Sequence, residues 1–233
     1  MQEIKTITLP LPYRLGNVNC YLIETGTGYV LIDTGGSNKR AELENELTSA
    51  GGKPGHLNLI VLTHGDFDHT GNAAYLCEKF DAPIAIHADD SGMVERGDMF
   101  WNRQKGNLLF RMMFRMLPFL FGFGQAERFK PDFFLNDGSD LSEYGLDARV
   151  LAIPGHSKGS IGILTAGGDL FCGDLLENYD RPATNSIMDD STAGDASVEK
   201  LSSLEINTVY PGHGNPFAMD AFLTSHRGNN EEE

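Results

Sequence analysis

The feature that most constrains the fold of this chain is a dense group of polar side chains directly behind an apolar run. Residues 57–62 are short and almost wholly apolar, which is typical of a buried central strand. Four potential metal ligands follow within six residues: His64, Asp66, Asp68 and His69. Carboxylates at this density repel one another, and a bound cation offsets that repulsion. The segment therefore predicts a metal site at one end of a sheet.

Three later fragments repeat this form, a strand followed by a turn of small residues that carries one ligand-type side chain. They are residues 151–160 with His156, residues 170–176 with Asp174 and residues 209–217 with His213. Any one of them alone is best interpreted as a structural turn. Together they predict that loops at the ends of several strands converge on one site.

Strand-like and helix-like runs alternate along the chain. Residues 17–25 and 29–36 predict a hairpin across a Gly-Thr-Gly turn. Further strands are predicted at 82–87, 148–154, 160–166, 169–174 and 207–212, and helices at 38–51, 70–80 and 197–205. This order indicates a layered α/β fold in one domain, residues 1–233, with a frayed tail at 228–233.

The motifs resemble those of the metallo-β-lactamase superfamily, in family order and over nearly the whole chain. His64-x-Asp66-x-Asp68-His69 is similar to the family signature H-x-H-x-D-H, and Pro-Gly-His156, Gly-Asp174 and Pro-Gly-His213 follow. The resemblance implies an α/β (α+β) fold, a four-layer αββα sandwich with two metals at one edge of the sheets. Spacing and length look most like glyoxalase II-type small metallo-hydrolases.

The resemblance also implies a ligand set for two divalent metal ions. His64, Asp66 and His156 would hold the first metal, Asp68, His69 and His213 the second, and Asp174 would bridge both. Zinc, iron and manganese accept both imidazole and carboxylate ligands. The implied reaction is attack of a metal-bridging hydroxide on an ester-like bond (thioester, lactone or phosphodiester) of a small-molecule substrate, with Asp68 as the catalytic residue that orients the hydroxide.

Asp66 departs from the family pattern, which has a histidine there. That histidine binds through Nδ1, an atom attached to Cγ as an aspartate Oδ is, so Asp66 can reach the same position. A third carboxylate lowers the charge of the site by one unit and favours harder metals. The flavodiiron group has glutamate there and binds iron, so an iron-dependent oxidoreductase, flavodiiron-like or persulfide-dioxygenase-like, is the alternative function. A solvent-facing Asp66 beside a weak first site is the alternative structure.

Asp33 ends the apolar run of residues 30–32 and matches a family position near the site. The resemblance implies that it orients a metal ligand from behind. A turn-forming aspartate is the alternative interpretation. A purely non-catalytic binding protein is disfavoured, because no other ligand position has been lost.

Residues 91–130 have no counterpart in the minimal family pattern and are predicted to form an aromatic, basic helical insert. Eight aromatic residues lie between Phe100 and Phe129. Arg111 and Arg115 are spaced i,i+4 and share one helical face. Three interpretations stay open: a helix pair covering the core, a lid lining a pocket for an apolar or anionic substrate whose charge the arginines would bind, or an exposed contact for a homodimer or a membrane surface.

Composition narrows the partners and the compartment. The net charge of −15 repels phosphate backbones, so nucleic acid is not an expected partner. No apolar run is long enough to span a membrane and the N-terminus has no secretory pattern, so we expect no stable membrane insertion and a cytoplasmic location. The three scattered cysteines are expected to be free thiols.

Overall fold

The computed structural model describes residues 3–103 and 127–230. Its strands are β1 (Ile4–Pro10), β2 (Asn17–Thr25), β3 (Gly28–Ile32), β4 (Leu57–Val61), β5 (Ile84–His87), β6 (Phe133–Leu135), β7 (Ala148–Ala152), β8 (Ile161–Thr165), β9 (Asp169–Gly173), β10 (Leu176–Asn178), β11 (Pro182–Thr184), β12 (Thr208–Pro211) and β13 (Phe217–Ala218). Its helices are α1 (Arg40–Ser49), α2 (Phe67–Thr70), α3 (Ala73–Phe80), α4 (Ala88–Arg96), α5 (Ser191–Ser202) and α6 (Met219–Asn230). Short 3₁₀ turns lie at Pro12–Arg14, Ser37–Lys39 and Ser142–Tyr144.

Two main sheets form the centre of the molecule. The first has the strand order β1-β2-β3-β4-β5-β6, antiparallel from β1 to β3 and parallel from β3 to β6. The second has the order β13-β12-β9-β8-β7, in which β12 and β9 are parallel. The predicted hairpin is confirmed, since β2 pairs with β3 in antiparallel register.

Strand β2 shows why the first sheet is covered on both faces. Its side chains alternate between two cores, because successive residues of a strand point to opposite faces. Cys20 and Leu22 pack in a cluster with Leu43 of α1. Tyr21 and Ile23 pack in a second cluster between the two sheets.

Three separate hydrophobic clusters define four layers. The first lies between the first sheet and helices α1, α3 and α4. The second fills the space between the sheets and includes Phe171 of β9. The third lies between the second sheet and helices α5 and α6, with Leu201 and Phe222 buried there. The predicted αββα sandwich is therefore confirmed, and its two sheets place several strand ends at one edge.

The predicted helix boundaries were less accurate than the predicted strand boundaries. The helix predicted at 197–205 begins earlier, at Ser191, because Asp190 caps it by accepting a 3.0 Å hydrogen bond from the backbone N of Ala193. Helix α4 begins at Ala88, so the predicted insert boundary at residue 91 falls inside this helix.

Arg111 and Arg115 lie outside the described residues, as do most of the predicted insert and the end of the predicted tail. The lid, dimer and membrane-surface interpretations of the insert therefore stay predictions. Among the helices of residues 3–103 and 127–230, none has the length and apolar character needed to cross a membrane.

Candidate metal centre

The predicted ligands follow strand ends at one edge of the two sheets. His64 comes three residues after β4, Asp66 directly precedes α2, and Asp68 and His69 lie in that helix. His156 follows β7, Asp174 follows β9, and His213 follows β12. The structure brings all seven predicted residues together, and only Asp68 among them is more than slightly exposed.

The seven side chains fall into overlapping groups whose ligand-type atoms all lie within 4.8 Å of one another. One group is His64, Asp66 and His156, and another is Asp68, His69 and His213. These are the two sets that the family resemblance implies for a first and a second metal. A third group joins His64 and His69 with Asp174.

Asp174 lies between the two sets. Its Oδ2 atom is 3.8 Å from Nε2 of His156 and 3.2 Å from Nε2 of His213. Its Oδ1 atom is 3.2 Å from Nε2 of His69. One carboxylate thus faces ligands of both sets, as a bridging group must.

Asp33 fixes the orientation of two histidines on the sheet side of the site. It has a positive φ of 58° and is buried, and its Oδ2 lies 2.8 Å from Nδ1 of His69. The same carboxylate accepts a hydrogen bond from the hydroxyl of Thr63. Because that hydroxyl proton is used, the Thr63 oxygen accepts from Nδ1 of His64 at 3.0 Å. Both imidazoles therefore present Nε2 to the centre.

Backbone carbonyls fix the other two histidines in the same way. Nδ1 of His156 lies 2.8 Å from the carbonyl of Ile187, and Nδ1 of His213 lies 2.6 Å from the carbonyl of Asn17. A carbonyl can only accept, so each Nδ1 carries the proton. The Nε2 atoms of all four histidines face one region, an arrangement typical of metal-binding imidazoles.

The centre contains buried polar atoms that protein groups leave unsatisfied. Within the described residues, Nε2 of His64 and Oδ1 of Asp174 are buried and make no hydrogen bond, which is costly unless another partner is present. Gly212 lies so close that an added Cβ would collide with Oδ1 of Asp174 and lie 2.8 Å from Cε1 of His69. The donor set of imidazole nitrogens and carboxylate oxygens fits zinc, iron or manganese.

The pKa shifts of the four histidines differ: against the effect of burial, neighbouring carboxylates raise the pKa of His69, His156 and His213, and only His64 is shifted downward. Burial and the neighbouring His69 hold the pKa of His64 well below its ordinary value, so its Nε2 keeps a lone pair. Burial alone would raise the pKa of Asp174, but His213 and His69 hold it well below the ordinary carboxyl range. Burial raises the pKa of Asp68, against the opposing effects of His69 and His213. Asp174 is thus a permanent anion, and Asp68 is the carboxyl better suited to proton exchange.

Arg103 belongs to the site and was not identified from the sequence. Its Nη2 lies 2.9 Å from Oδ1 of Asp66, and its Nε lies 2.8 Å from Oδ2 of Asp189. In the sequence it stood out only as one basic residue in a basic run. The signal that could have found it was Asp66 itself, because an extra buried carboxylate needs a counter-charge.

This ion pair changes one expectation. The sequence alone predicted a centre more negative by one charge and an Asp66 that favours harder metals. Asp66 is buried rather than solvent-facing, and the adjacent Arg103 offsets its charge. The remaining argument for a harder metal is the oxygen donor itself.

Asp90 was also missed. It is fully buried at the start of α4 and accepts hydrogen bonds from the backbone N of Gly65 at 3.0 Å and of Gly159 at 2.9 Å. It also accepts a bond from the hydroxyl of Ser157. Asp90 therefore connects the loop of His64 to the loop of His156.

An αββα sandwich with histidine and aspartate groups at one edge of its sheets defines a class of metal-dependent hydrolases. The sequence profile of the metallo-beta-lactamase superfamily matches residues 13–213. The chain belongs to this superfamily and is an enzyme of the metallo-hydrolase type.

Similarity to known proteins extends over most of the chain. It is 28% identical to the probable metallo-hydrolase YqjP of Bacillus subtilis, over 97% of this chain and 76% of that protein. The structure of TTHA1623 in a di-iron-bound form is 29% identical, with a TM-score of 0.66, over 92% of this chain and 96% of that one. The metallo-beta-lactamase family protein TTHA1429 of Thermus thermophilus shares the fold, with 22% identity and a TM-score of 0.75, over 98% of this chain and 79% of that one.

Proposed function

We propose that this protein is a two-metal hydrolase that cleaves an ester-like bond of a small molecule, in the class of thioesters, lactones and phosphodiesters. The observation that carries the proposal is the orientation of four imidazoles. Each has Nδ1 held by an acceptor and Nε2 turned toward the region around Asp174. Such uniform orientation serves ligation, whereas histidines in an ordinary core do not share one focus.

In the proposed reaction, the side chains of the centre would have distinct roles. His64, Asp66 and His156 would hold the first metal, Asp68, His69 and His213 the second, and Asp174 would contact both. When bound, two divalent cations supply a water of lowered pKa and stabilise negative charge on the attacked oxygen. Asp68, at the more exposed side of the centre, would orient the attacking water and take up its proton.

Exposed apolar side chains beside the centre support an organic substrate. Tyr179 is 45% exposed, and its ring stacks on that of His213 with centroids 6.4 Å apart. Ile187 is 69% exposed, and its carbonyl is the one that accepts from His156. Each of these residues contacts a histidine of a different metal set, Tyr179 through its ring and Ile187 through its carbonyl, and their exposed side chains would contact the apolar part of an acyl or alkyl ester.

The metal ions of the proposed enzyme are zinc, iron or manganese. Iron is supported by the similarity to TTHA1623, which is described in a di-iron-bound form. Zinc suits the four imidazoles equally well. The metal therefore has to be measured together with the reaction.

The test is to purify the protein without chelator, quantify its metals, and assay thioester, lactone and phosphodiester panels. We expect two metal ions per chain and turnover of one panel, both lost in Asp174→Ala. The surface variant Asp220→Ala on α6 is the matched control and should retain both. Bound iron with oxygen consumption and no hydrolysis would instead establish the oxidoreductase alternative.

A further inference from the structure

The two oxygens of Asp66 have different partners. Oδ2 points into the centre, 3.1 Å from Nε2 of His156 and 3.8 Å from Nε2 of His64. Oδ1 contacts Nη2 of Arg103 at 2.9 Å. Only one oxygen of this carboxylate is therefore directed at the first metal set.

Arg103 is itself fixed and cannot act as a solvent-facing cation. Its side chain is 6% exposed, and its Nε contacts the carboxylate of Asp189 at 2.8 Å. A guanidinium keeps its proton in proteins, so burying it requires counter-charges close by. The contacts of Nε of Arg103 and of Oδ1 of Asp66 are ion pairs at short distance rather than well-aligned hydrogen bonds. Two carboxylates hold this guanidinium, and it is not free to bind a substrate anion.

The pair reproduces two properties of the histidine that Asp66 replaces. Asp66 adds one negative charge and Arg103 adds one positive charge, so these two side chains are neutral in sum, as an imidazole is. Arg103 also pairs with Asp189, but the Asp189 side chain is more exposed than that of Asp66, 26% against 7%. Because Arg103 binds Oδ1 of Asp66, only Oδ2 is left to face the metal. A ligating histidine is held in the same way, with one ring nitrogen bound to a partner and the other available to the metal. Burial alone would raise the pKa of Asp66, but Arg103 and the bond with His156 hold it below its ordinary value.

From this geometry we infer that Arg103 is a positioning residue for the first metal, which makes Asp66 a charge-compensated, one-oxygen ligand in the place of a histidine. The inference rests on the proposed metal centre. It also sets a rule for the chain: residues 66 and 103 must be changed together. An aspartate without the arginine carries excess charge, and an arginine without the aspartate places a buried cation next to a metal ion, because its Nη2 is 3.4 Å from Nε2 of His156.

The test is a double-mutant cycle at positions 66 and 103 in which metal binding is the measured quantity. Metal-free wild type, Arg103→Gln, Asp66→His and the combined variant D66H/R103Q are titrated with Co²⁺ against a competing chelator, and bound cobalt is counted by elemental analysis and by its visible absorption. Wild type should bind two equivalents. Each single variant should bind one of the two about 10- to 100-fold more weakly. The combined variant should recover most of that loss.

The matched control is Arg149→Gln, which removes an exposed arginine from β7 and should leave both equivalents unchanged. Circular dichroism and thermal unfolding of each metal-free variant establish folding. If Arg103→Gln does not fold, the comparison of D66H with D66H/R103Q carries the test, since the combined variant has no unpaired buried charge. A merely structural role for Arg103 would not produce rescue by a second substitution at the ligand position.

Three results would overturn the inference: two tight equivalents in both wild type and Arg103→Gln, one equivalent in wild type but two in Arg103→Gln, or losses that simply add in the combined variant. The second would mean that Arg103 takes the place of the first metal. Failure of the proposed function is distinguishable, because wild-type protein would then bind no metal, or bind it and hydrolyse none of the substrate panels, whatever Arg103→Gln does. Two equivalents and normal hydrolysis in Arg103→Gln would reject only the role of Arg103.

Discussion

The Asp90 carboxylate accepts a 2.6 Å hydrogen bond from the hydroxyl of Ser157, the residue that follows His156. The same carboxylate binds the backbone N of Gly65, which lies between His64 and Asp66. Three ligands of the first metal set are thus positioned by one buried side chain that contacts none of them. Asp90 is a structural link between two loops that are far apart in the sequence.

We predict that Asp90→Ala destabilises the protein and weakens the first metal set. The substitution leaves two backbone N–H groups and a hydroxyl unpaired in the interior, and each such group costs about 1–3 kcal/mol. Urea unfolding should show a loss of about 3 kcal/mol or more in the metal-free protein. Cobalt titration should show that one of two equivalents binds more weakly.

The neighbouring residue supplies the control. Asp89 is half-exposed and pairs with the exposed Lys158 at 3.1 Å, so Asp89→Ala should change stability by less than about 1 kcal/mol. Equal losses for the two variants would contradict the role assigned to Asp90.

A second prediction concerns Asp33 and the second metal set. Asp33→Asn keeps the size of the side chain but removes the charge that polarises His69 through a 2.8 Å contact. Metal affinity should fall about 10- to 100-fold, as is usual when the partner of a ligating histidine is changed. Isothermal titration of metal-free protein measures it.

Asp81→Asn is a suitable control, because Asp81 also has a positive φ, 54° against 58° for Asp33. It therefore accounts for any relief of backbone strain. Unchanged affinity in Asp33→Asn would show that the contact with His69 is only structural.

The pair of residues 89 and 90 illustrates what the sequence could predict. The hairpin, the strands that lead into the ligand loops and the order of those loops follow from local patterns and were predicted. Strands β1, β6, β10, β11 and β13 and helix α6 were not. Nothing local distinguishes the half-exposed Asp89 from the buried Asp90, since both open the same helix. Only the loops that fold over the helix decide which carboxylate is buried.

The acceptors behind the histidines were hidden for a related reason. The groups that hold His156 and His213 are the backbone carbonyls of Ile187 and Asn17. Every residue has a backbone carbonyl, so the residue type gives no indication of which carbonyl will hold a histidine. Arg103 required knowledge of which basic residue of its run turns inward, and that is determined by tertiary packing.

A third prediction uses the three cysteines, all of which are free. Cys20 and Cys172 are buried, and burial raises the pKa of both thiols, that of Cys172 to about 12. Cys77 is partly exposed, although burial and the nearby Asp132 raise its pKa as well. A thiol reagent at pH 8 should label one thiol in the native protein and three after denaturation. Cys77→Ala should abolish native labelling.

The same shifts give a pH dependence with a definite sign. A thiol whose pKa is higher in the folded state makes its full contribution to the free energy of unfolding below its unfolded pKa of about 8.5. That contribution is lost as pH rises through the folded pKa. The free energy of unfolding should therefore decrease between about pH 8.5 and the folded value of about 12 for Cys172. Cys172→Ala should show a shallower decrease in urea unfolding measured across that range.

The last prediction tests how closely the backbone approaches the centre. An alanine at position 212 would drive its Cβ into Oδ1 of Asp174 and against Cε1 of His69. Since Asp33 holds the ring of His69 in place, Gly212→Ala should cost about 1–3 kcal/mol of stability and displace the Asp174 carboxylate, which faces both metal sets. Gly26→Ala is the matched control, because a Cβ at Gly26 has no neighbour within 4 Å. We expect Gly212→Ala to lose both cobalt equivalents and Gly26→Ala to keep them; two tight equivalents in Gly212→Ala would mean that Asp174 is not needed where the structure places it.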